Sequence, residues 1–317
     1  MSEPTVETKP MLPMTDAELE TYRLHRRFDR IGRLVGDTAM KKLMASHVTV
    51  IGLGGVGSWT AESLVRSGIG KATIVDFDEV CVTNFNRQLH ALRGTVGKPK
   101  AEILAARLRD INPAAVIVPM VEFYNSDHQA KIFAERPDYV VDAIDNVTAK
   151  CHLIAYCRDE GIPVITSTGS GGRMDPTMVR VTDLGLTTVD PLARAVRGIL
   201  RAQYDFPKAE GAPFGIQAVY SAEPAMRPRE LAYDGGKGFR CVCPQGENPY
   251  FNCDNRNVIM GNAGFVTGTF GFVCAGVVVR QLAGVQTCLV PSSGAQRRQE
   301  RTKADGNTAG FVKEEGF

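Results

Sequence analysis

This chain has almost no excess of positive or negative charge. Its 317 residues include 37 Lys and Arg against 35 Asp and Glu, which gives a formal net charge of +2. A protein that attracts nucleic acid through its overall charge would need a basic surplus, so any contact with RNA must come from local patches. The candidate patches, for which solvated helix faces are the alternative, are Arg194, Arg197 and Arg201 at helical spacing, and Arg23, Arg26, Arg27 and Arg30.

The N-terminus lacks the apolar core of a signal peptide, because residues 1–20 are acidic and contain prolines. The eight cysteines have no regular spacing, which favours reduced thiols, so we expect a cytoplasmic protein. Only the apolar, glycine-rich run from Val258 to Val285 approaches the length of a membrane span. Asn262, Thr267 and Thr269 interrupt it. We therefore expect a buried helix there and no membrane association.

A glycine-rich loop follows the first strand-like run, Val48 to Ile51, and a second such run ends at Asp76. This arrangement is typical of a nucleotide-binding βαβ unit, in which glycines let the backbone approach a phosphate at a helix N-terminus. An acidic residue at the end of the second strand can accept hydrogen bonds from a ribose. The glycines of the loop are Gly52, Gly54, Gly55 and Gly57. By themselves they fit NAD, FAD, S-adenosylmethionine and ATP equally well.

Two cations distinguish among these nucleotides. Arg87 and Lys100 follow the second strand, and Lys100 begins the next predicted helix. Hydride transfer requires an apolar nicotinamide pocket, whereas cations close to the glycine loop neutralise a triphosphate and stabilise departing pyrophosphate. The sequence therefore favours phosphoryl or nucleotidyl transfer over an NAD-dependent oxidoreductase.

The order of these motifs resembles the ubiquitin-activating-enzyme-like adenylating superfamily. The motifs are the glycine loop, Asp76-Phe77-Asp78, Asn84-Phe85-Asn86-Arg87-Gln88, Lys100 and Asp142-Ala143-Ile144-Asp145. The resemblance implies ATP and Mg²⁺ as cofactors, with Asp145 on the metal. It also implies that Asp76 holds the ribose, that Asn84, Arg87 and Lys100 hold phosphates, and that Asp78 and Gln88 line the nucleotide site. For Asp145 the alternative is a cap of the helix predicted to begin near Val147.

The same resemblance implies a homodimer in which an N-terminal arginine reaches the ATP site of the neighbouring subunit. Arg30 and Arg33 are the two candidates, and the sequence does not choose between them. The alternative is a basic amphipathic helix that packs Phe28, Ile31 and Leu34 against the core.

Longer blocks are similar to the tRNA threonylcarbamoyladenosine dehydratase family. They span residues 86–93, 169–177, 181–184, 190–193, 219–223 and 269–273. The similarity implies ATP-dependent cyclisation of the modified nucleoside in tRNA, after adenylation of its threonine carboxylate, with release of AMP and pyrophosphate. Arg173, in the glycine-rich block, is the candidate to hold that carboxylate, although the block could also be a plain turn. A sulfur-acceptor protein of a cysteine desulfurase system is a further expected partner by resemblance only.

The main alternative is an adenylyltransferase that activates the C-terminus of a ubiquitin-like sulfur carrier. Such enzymes usually hold zinc with two Cys-x-x-Cys pairs, and this sequence contains none. Cys241, Cys243 and Cys253 could form at most a three-thiolate site, and a buried free cysteine is commoner than a catalytic one. A noncatalytic protein that binds ATP and a sulfur acceptor is a third possibility, which the complete motif set disfavours.

The pattern predicts an α/β fold, a Rossmann-like doubly wound and mostly parallel sheet with N-terminal helices, crossover loops and a buried C-terminal helix. We expect a mobile tail over residues 1–24, one adenylating domain over 25–285 with a crossover region at 205–257, and a disordered tail over 286–317. The predicted strands are 47–52, 72–76, 115–121, 139–143, 163–167, 177–183 and 216–220.

Overall fold

The computed structural model describes residues 26–229, 231 and 260–285. The predicted tails at 1–24 and 286–317, and the 232–257 part of the predicted crossover region, lie outside these residues, so those predictions stay open. The helices are α1 Asp29–Val35, α2 Asp37–Ala45, α3 Gly57–Arg66, α4 Lys100–Ile111, α5 Ser126–Ile132, α6 Val147–Asp159, α7 Pro191–Gln203 and α8 Gly264–Ala283. The strands are β1 His47–Ile51, β2 Lys71–Val75, β3 Val116–Met120, β4 Tyr139–Asp142, β5 Val164–Ser167, β6 Val179–Asp183 and β7 Gln217–Ser221.

The seven strands form one sheet in the order β3-β2-β1-β4-β5-β7-β6. All neighbouring pairs are parallel except β6 and β7. β4 and β5 read Tyr-Val-Val-Asp and Val-Ile-Thr-Ser and are buried along their whole length, as parallel strands covered by helices on both faces must be. Each predicted strand is present within two residues of its predicted ends, and the predicted α/β fold is confirmed.

Two apolar clusters hold the sheet between its helices. One contains Val48 and Val50 of β1 together with residues of α2, α3, α4 and α8. The other contains Ile51 of β1 together with residues of α5, α6 and α7. Successive side chains of a strand point to opposite faces, so this short strand contributes to both clusters. The result is a three-layer arrangement that fixes the carboxyl ends of the parallel strands along one edge.

The apolar run near the C-terminus forms α8, a helix of 20 residues. By length and composition it could cross a membrane, but more than half of its apolar window is buried within the fold. Gly271 allows its close contact with α3, because a Cβ there would lie 2.7 Å from the carbonyl oxygen of Val56. Phe270 and Cys274 are fully buried in the first cluster. The prediction of a buried helix is therefore confirmed for these residues.

Candidate functional site

The strand order reverses at β1, which lies between β2 and β4. Ligands of open α/β sheets bind in the crevice at this point, beyond the carboxyl ends of the strands. Gly52, at the end of β1, has a φ of +88°, and a Cβ there would lie 2.6 Å from the carbonyl oxygen of Ala143. A Cβ on Gly57 would lie 1.8 Å from the carbonyl oxygen of Gly52. These two glycines therefore let the loop fold tightly against the segment after β4, whereas a Cβ on Gly54 would make only an ordinary contact, 3.9 Å from Nε2 of Gln88.

Asp76 holds this loop from the end of β2. Its Oδ2 accepts a hydrogen bond from the amide of Leu53 at 2.6 Å, and its Oδ1 accepts one from the amide of Asp78 at 2.9 Å. Burial raises the pKa of the Asp76 carboxyl, and the ammonium of Lys100 opposes that rise. Both carboxylate oxygens thus already organise the backbone around the site. The predicted contact of Asp76 with a ribose stays a prediction.

The segment from Asn84 to Gln88 lies against the glycine loop. The side chain of Asn84 is buried, and its Oδ1 accepts from the amide of Cys81 at 3.0 Å, which closes a short 3₁₀ turn. The Cγ of Arg87 lies 3.2 Å from the position that a Cβ on Gly55 would take. The buried Oε1 of Gln88 has no hydrogen-bond partner among the described residues. The structure therefore brings Arg87 and Gln88 to the glycine loop, and the predicted phosphate-binding roles stay predictions.

Lys100 is the buried cation of the site. Its Nζ lies 2.7 Å from Oδ2 of Asp78, and its own backbone amide donates to the carbonyl of Asp78 at 3.0 Å. Burial disfavours the charged ammonium, but the carboxylates of Asp76, Asp78 and Asp145 outweigh this and raise the pKa of Lys100. The lysine is therefore held in its charged form at the start of α4, against Asp78.

Asp145 follows β4 and is exposed. The capping residue of α6 is its neighbour Asn146, whose side chain accepts from the amide of Ala149 at 3.0 Å. The alternative role for Asp145 as that cap is therefore wrong. No cluster of three or more metal-ligating side chains occurs among the described residues. A single carboxylate suffices for Mg²⁺ that also binds substrate phosphates, so Asp145 fits that ion.

Below the crevice lies an ion pair that the sequence analysis missed. Nζ of Lys150 donates to Oδ2 of Asp142 at 2.7 Å, to the hydroxyl of Thr166 at 3.1 Å and to the carbonyl of Ser167 at 3.0 Å. Oδ1 of Asp142 accepts from the amide of Ile144 at 3.1 Å. The pair ties the carboxyl ends of β4 and β5 together and shapes the turn that leads to Asp145. A lysine on the otherwise apolar face of α6 was the available sequence signal.

The loop after β5 carries Arg173, which is only 2% exposed. Its Nη2 lies 3.6 Å from Oδ2 of Asp190, while its buried Nε and Nη1 have no hydrogen-bond partner in the described chain. Gly172 has a φ of +71°, donates to the carbonyl of Gly261 and accepts from the amide of Met226, both at 2.8 Å. The loop is thus pinned on both sides rather than being a plain turn. A buried guanidinium with unused donors is suited to bind an anion.

The N-terminal side of α8 completes the crevice. No sequence motif indicated this contribution of the helix. The side chain of Asn86 donates to the carbonyl of Asn262 at 2.8 Å. A Cβ on Gly264 would lie 2.5 Å from the carbonyl oxygen of Asn86, and one on Gly55 would lie 3.0 Å from the hydroxyl of Thr267. The C-terminal helix therefore supports both the glycine loop and the segment that carries Arg87.

The two N-terminal arginine candidates lie on α1. The Nε of Arg33 donates to Oδ2 of Asp29 at 3.1 Å in an exposed pair one turn apart. Arg30 is exposed on the same helix. Phe28 is buried against the core, while Leu34 is 82% exposed. The amphipathic alternative thus holds for Phe28 and for Ile31, which packs against the same cluster, but not for Leu34. Neither arginine makes a hydrogen bond or ion pair with the crevice residues named above.

Burial disfavours a thiolate at three of the described cysteines. Cys81, Cys151, Cys157 and Cys274 are free and buried. Burial raises the pKa of Cys151 to about 11 and of Cys274 to about 12, and it also raises the pKa of Cys157. The other cysteines considered above, Cys241, Cys243 and Cys253, lie outside the described residues.

Comparison with known proteins gives the same picture as the motifs. A family model described as ThiF family matches residues 28–304. A tRNA threonylcarbamoyladenosine dehydratase from Haemophilus influenzae is 41% identical over 266 residues, which are 84% of this chain and 96% of that protein. The crystal structure of the E. coli dehydratase TcdA in complex with ATP superposes with a TM-score of 0.70 at 38% identity and covers 86% of this chain and 98% of that one. The molybdopterin-synthase adenylyltransferase of E. coli is 33% identical over 52% of this chain and 64% of its own.

Proposed function

This chain belongs to the ThiF family, and we propose that it catalyses the ATP-dependent dehydration of threonylcarbamoyladenosine in tRNA to the cyclic form. The proposal for the substrate is supported by the dehydratase from Haemophilus influenzae, 96% of whose length matches this chain. The proposal for ATP is supported by the related structure that contains it.

One observation carries the adenylation step. The buried ammonium of Lys100 lies 2.7 Å from the carboxylate of Asp78 and interacts with Asp76, which holds the glycine loop through the amide of Leu53, while Arg87 packs on that loop. An ATP molecule bound at the N-terminus of α3 would meet both cations, which offset the charge of its phosphates and of the departing pyrophosphate. A redox dinucleotide has no pyrophosphate leaving group, so it does not need a cation to stabilise one.

The chemistry balances in two steps. A carboxylate oxygen of the threonine moiety attacks the α-phosphate of ATP, which forms an acyl adenylate and releases pyrophosphate. A nucleophilic atom of the carbamoyl group in the same modification then attacks the acyl carbon, the bond to AMP breaks, and a proton leaves. The carboxylate oxygen departs with AMP, so the nucleoside loses one water in total. The second step is intramolecular, and it requires no enzyme thioester.

We assign the carboxylate to Arg173. Its guanidinium is buried in the loop after β5, the strand next to β4, and its Nε and Nη1 are unused in the described chain. A carboxylate can accept two parallel hydrogen bonds from such a fork, which would hold it for attack on the α-phosphate. Asp190 lies 3.6 Å from Nη2 and offsets the positive charge while the substrate is absent.

Mg²⁺ would be held by Asp145 together with the substrate phosphates, and it would supply further neutralisation of the triphosphate. A homodimer is supported by the exposed apolar side chains of Phe265 and Phe272 on α8 and of Leu34 on α1. In such a dimer Arg30 or Arg33 would reach the partner's ATP site. A cytoplasmic location follows from a tRNA substrate, and a sulfur-acceptor partner rests on family resemblance alone.

The decisive experiment incubates the protein with ATP, Mg²⁺ and tRNA that carries threonylcarbamoyladenosine, and then measures the nucleosides by mass. We expect the modified nucleoside to lose one water, with one AMP formed per product. The second candidate function, activation of a sulfur-carrier protein, is favoured by the likeness to the molybdopterin-synthase adenylyltransferase. It would be supported if ATP–pyrophosphate exchange responded to a small carrier protein and not to this tRNA.

A further inference from the structure

Helix α7 carries three arginines and no acidic residue in its sequence Pro-Leu-Ala-Arg-Ala-Val-Arg-Gly-Ile-Leu-Arg-Ala-Gln. The arginine ridge, which comprises Arg194, Arg197 and Arg201, follows the spacing i, i+3, i+7 and therefore occupies one face of the helix. Val196 and Leu200, on the opposite face, are buried in the core. The ridge extends for about 10 Å along the helix axis.

The arginines of the ridge repel one another, because like charges three or four residues apart on a helix are unfavourable. Arg194, in the first turn, also faces the positive end of the helix dipole, whereas Arg201, in the last turn, is favoured by the dipole. Burial lowers the pKa of Arg197, and its neighbours Arg201 and Arg194 lower it further, while Asp190 acts in the opposite direction. The fold therefore keeps a concentration of positive charge where its own stability does not require one.

The partners of the ridge are neutral. Arg197 donates to the hydroxyl of Thr187, and Nε of Arg201 donates to the carbonyl of Pro207 at 3.2 Å. The guanidinium of Arg201 also lies 5.1 Å from the centre of the Phe214 ring. Arg194 is exposed, and its side chain makes no hydrogen bond or ion pair within the described residues. These contacts fix the direction of two guanidinium groups without neutralising them, which prepares them for an external anion.

The ridge starts one turn from the proposed carboxylate site. Asp190 caps α7 through its Oδ1, which accepts from the amide of Ala193 at 2.7 Å. Its Oδ2 accepts from the hydroxyl of Thr168 at 3.1 Å and from the amide of Gly169 at 3.0 Å, in the loop that leads to Arg173. The preceding residue, Val189, has a φ of +49°, a strained conformation for a β-branched residue. The structure maintains this strain in order to join the start of α7 to the Arg173 loop.

We propose that the arginine ridge binds phosphates of the tRNA backbone and so directs the modified nucleoside to Arg173. The proposal rests on the proposed function, since it takes tRNA as the substrate. Phosphate groups are the anions that guanidinium groups bind best, and they repeat along a polynucleotide at distances that the ridge can span. The other candidate patch, which comprises Arg23, Arg26, Arg27 and Arg30, is weaker, because Arg26 and Arg30 interact with the carboxylate of Asp29 and Arg23 lies outside the described residues.

The test compares Arg194→Gln and the double variant Arg194→Gln/Arg201→Gln with the wild-type full-length protein. Binding of tRNA that carries threonylcarbamoyladenosine is measured over a series of salt concentrations. We expect the double variant to bind about 10-fold more weakly and its log–log salt slope to fall by about two, one for each phosphate contact. Its KM for tRNA rises accordingly, while its KM for ATP and its kcat at saturating tRNA stay within about twofold of wild type. Arg194→Lys/Arg201→Lys, which keeps both charges, restores the salt slope.

Lys41→Gln/Lys42→Gln is the matched control, because it removes the same charge from exposed positions on α2. It should bind tRNA as the wild type does. The single variant Arg194→Gln controls for misfolding of the double variant, because the Arg194 side chain has no described hydrogen bond or ion pair to lose. It should lower the salt slope by about one. An unchanged slope in both ridge variants, or an equal loss in the lysine control, overturns the proposal. Failure of the proposed function is distinct, because the wild-type protein itself would then form no dehydrated nucleoside.

Discussion

The ammonium of Lys150 lies 2.7 Å from the carboxylate of Asp142, and both side chains are almost completely buried, with 2% and 0% of their surface exposed. Thr166 also donates its hydroxyl to the same carboxylate oxygen at 2.6 Å. This pair connects two neighbouring strands directly below the turn that leads to Asp145. The geometry of the proposed metal and phosphate site therefore depends on a buried ion pair beneath it.

Replacement of Lys150 by Met should lower the free energy of unfolding by about 3–5 kcal/mol, because it leaves the buried Asp142 carboxylate without its counterion. Urea unfolding monitored by circular dichroism gives this quantity. Lys131→Met is the control, since Lys131 is 64% exposed and its pair with Glu122 contributes at most about 1 kcal/mol. A Lys150→Met protein as stable as the control would show that the pair does not support the strand ends.

Lys100→Ala should reduce ATP–pyrophosphate exchange by about 100-fold or more, because it removes a fixed charge from the departing phosphates. Lys100→Arg should recover little of this activity, since the planar guanidinium does not fit the buried position beside Asp78. The exposed neighbour Lys98 serves as the control, and Lys98→Ala should leave the exchange rate unchanged. Comparable rates for the two alanine variants would contradict the assignment of Lys100.

Arg173→Ala should raise the KM for modified tRNA at least tenfold and leave the KM for ATP nearly unchanged, because the guanidinium is assigned to the threonine carboxylate and not to the nucleotide. Steady-state assays with each substrate varied in turn measure the two constants. Arg180→Ala, on the exposed face of β6, provides a control of equal charge. An equal rise of both constants in Arg173→Ala would reject the assigned role.

His90 predicts a dependence of stability on pH. Burial, with help from the charge of Lys100, lowers its pKa from 6.5 to about 3, and neither ring nitrogen has a hydrogen-bond partner among the described residues. As the pH falls below about 6.5, the unfolded chain takes up a proton at this site and the folded protein does not, so the stability decreases toward acid. Between pH 8 and pH 5 this single site accounts for about 2 kcal/mol.

Urea unfolding of the wild type and of His90→Met at both pH values checks this prediction. The variant should lose clearly less stability toward acid than the wild type. Its dependence on pH should not vanish, because burial also lowers the pKa of His152. A wild-type loss that His90→Met does not reduce would contradict a buried neutral imidazole.

The proposed homodimer can be tested by complementation. If Arg30 or Arg33 acts in the partner's ATP site, a mixture of Arg30→Ala/Arg33→Ala with Lys100→Ala should regain part of the wild-type activity, about one quarter with random subunit exchange, because one site of each hybrid dimer then contains both intact groups. Native mass spectrometry verifies that hybrids form. Inactive hybrids would exclude action across the subunits.

Much of the fold was predictable, because its signals are local. Buried parallel strands such as β4 and β5 read as short apolar runs, and their limits were predicted within two residues. The glycine loop was recognisable since only glycine tolerates the φ of +88° at Gly52 and the contact of Gly57 with Gly52. The wrong alternative, Asp145 as the cap of α6, arose because Asp145 and Asn146 are adjacent and both residue types cap helices.

The sequence by itself determined the nucleotide-binding unit, the order of the motifs, the cations that follow it and the buried C-terminal helix, because each of these depends on residues close together in the chain. Only the tertiary structure decided that Lys150 neutralises Asp142, that Asp190 joins α7 to the Arg173 loop and that the start of α8 supports Asn86. These contacts join residues on separate elements, brought together by the packing of helices on a twisted sheet. The spacing of residues along the chain does not reveal that packing. Only the folded chain therefore shows that the proposed carboxylate site and the arginine ridge are adjacent.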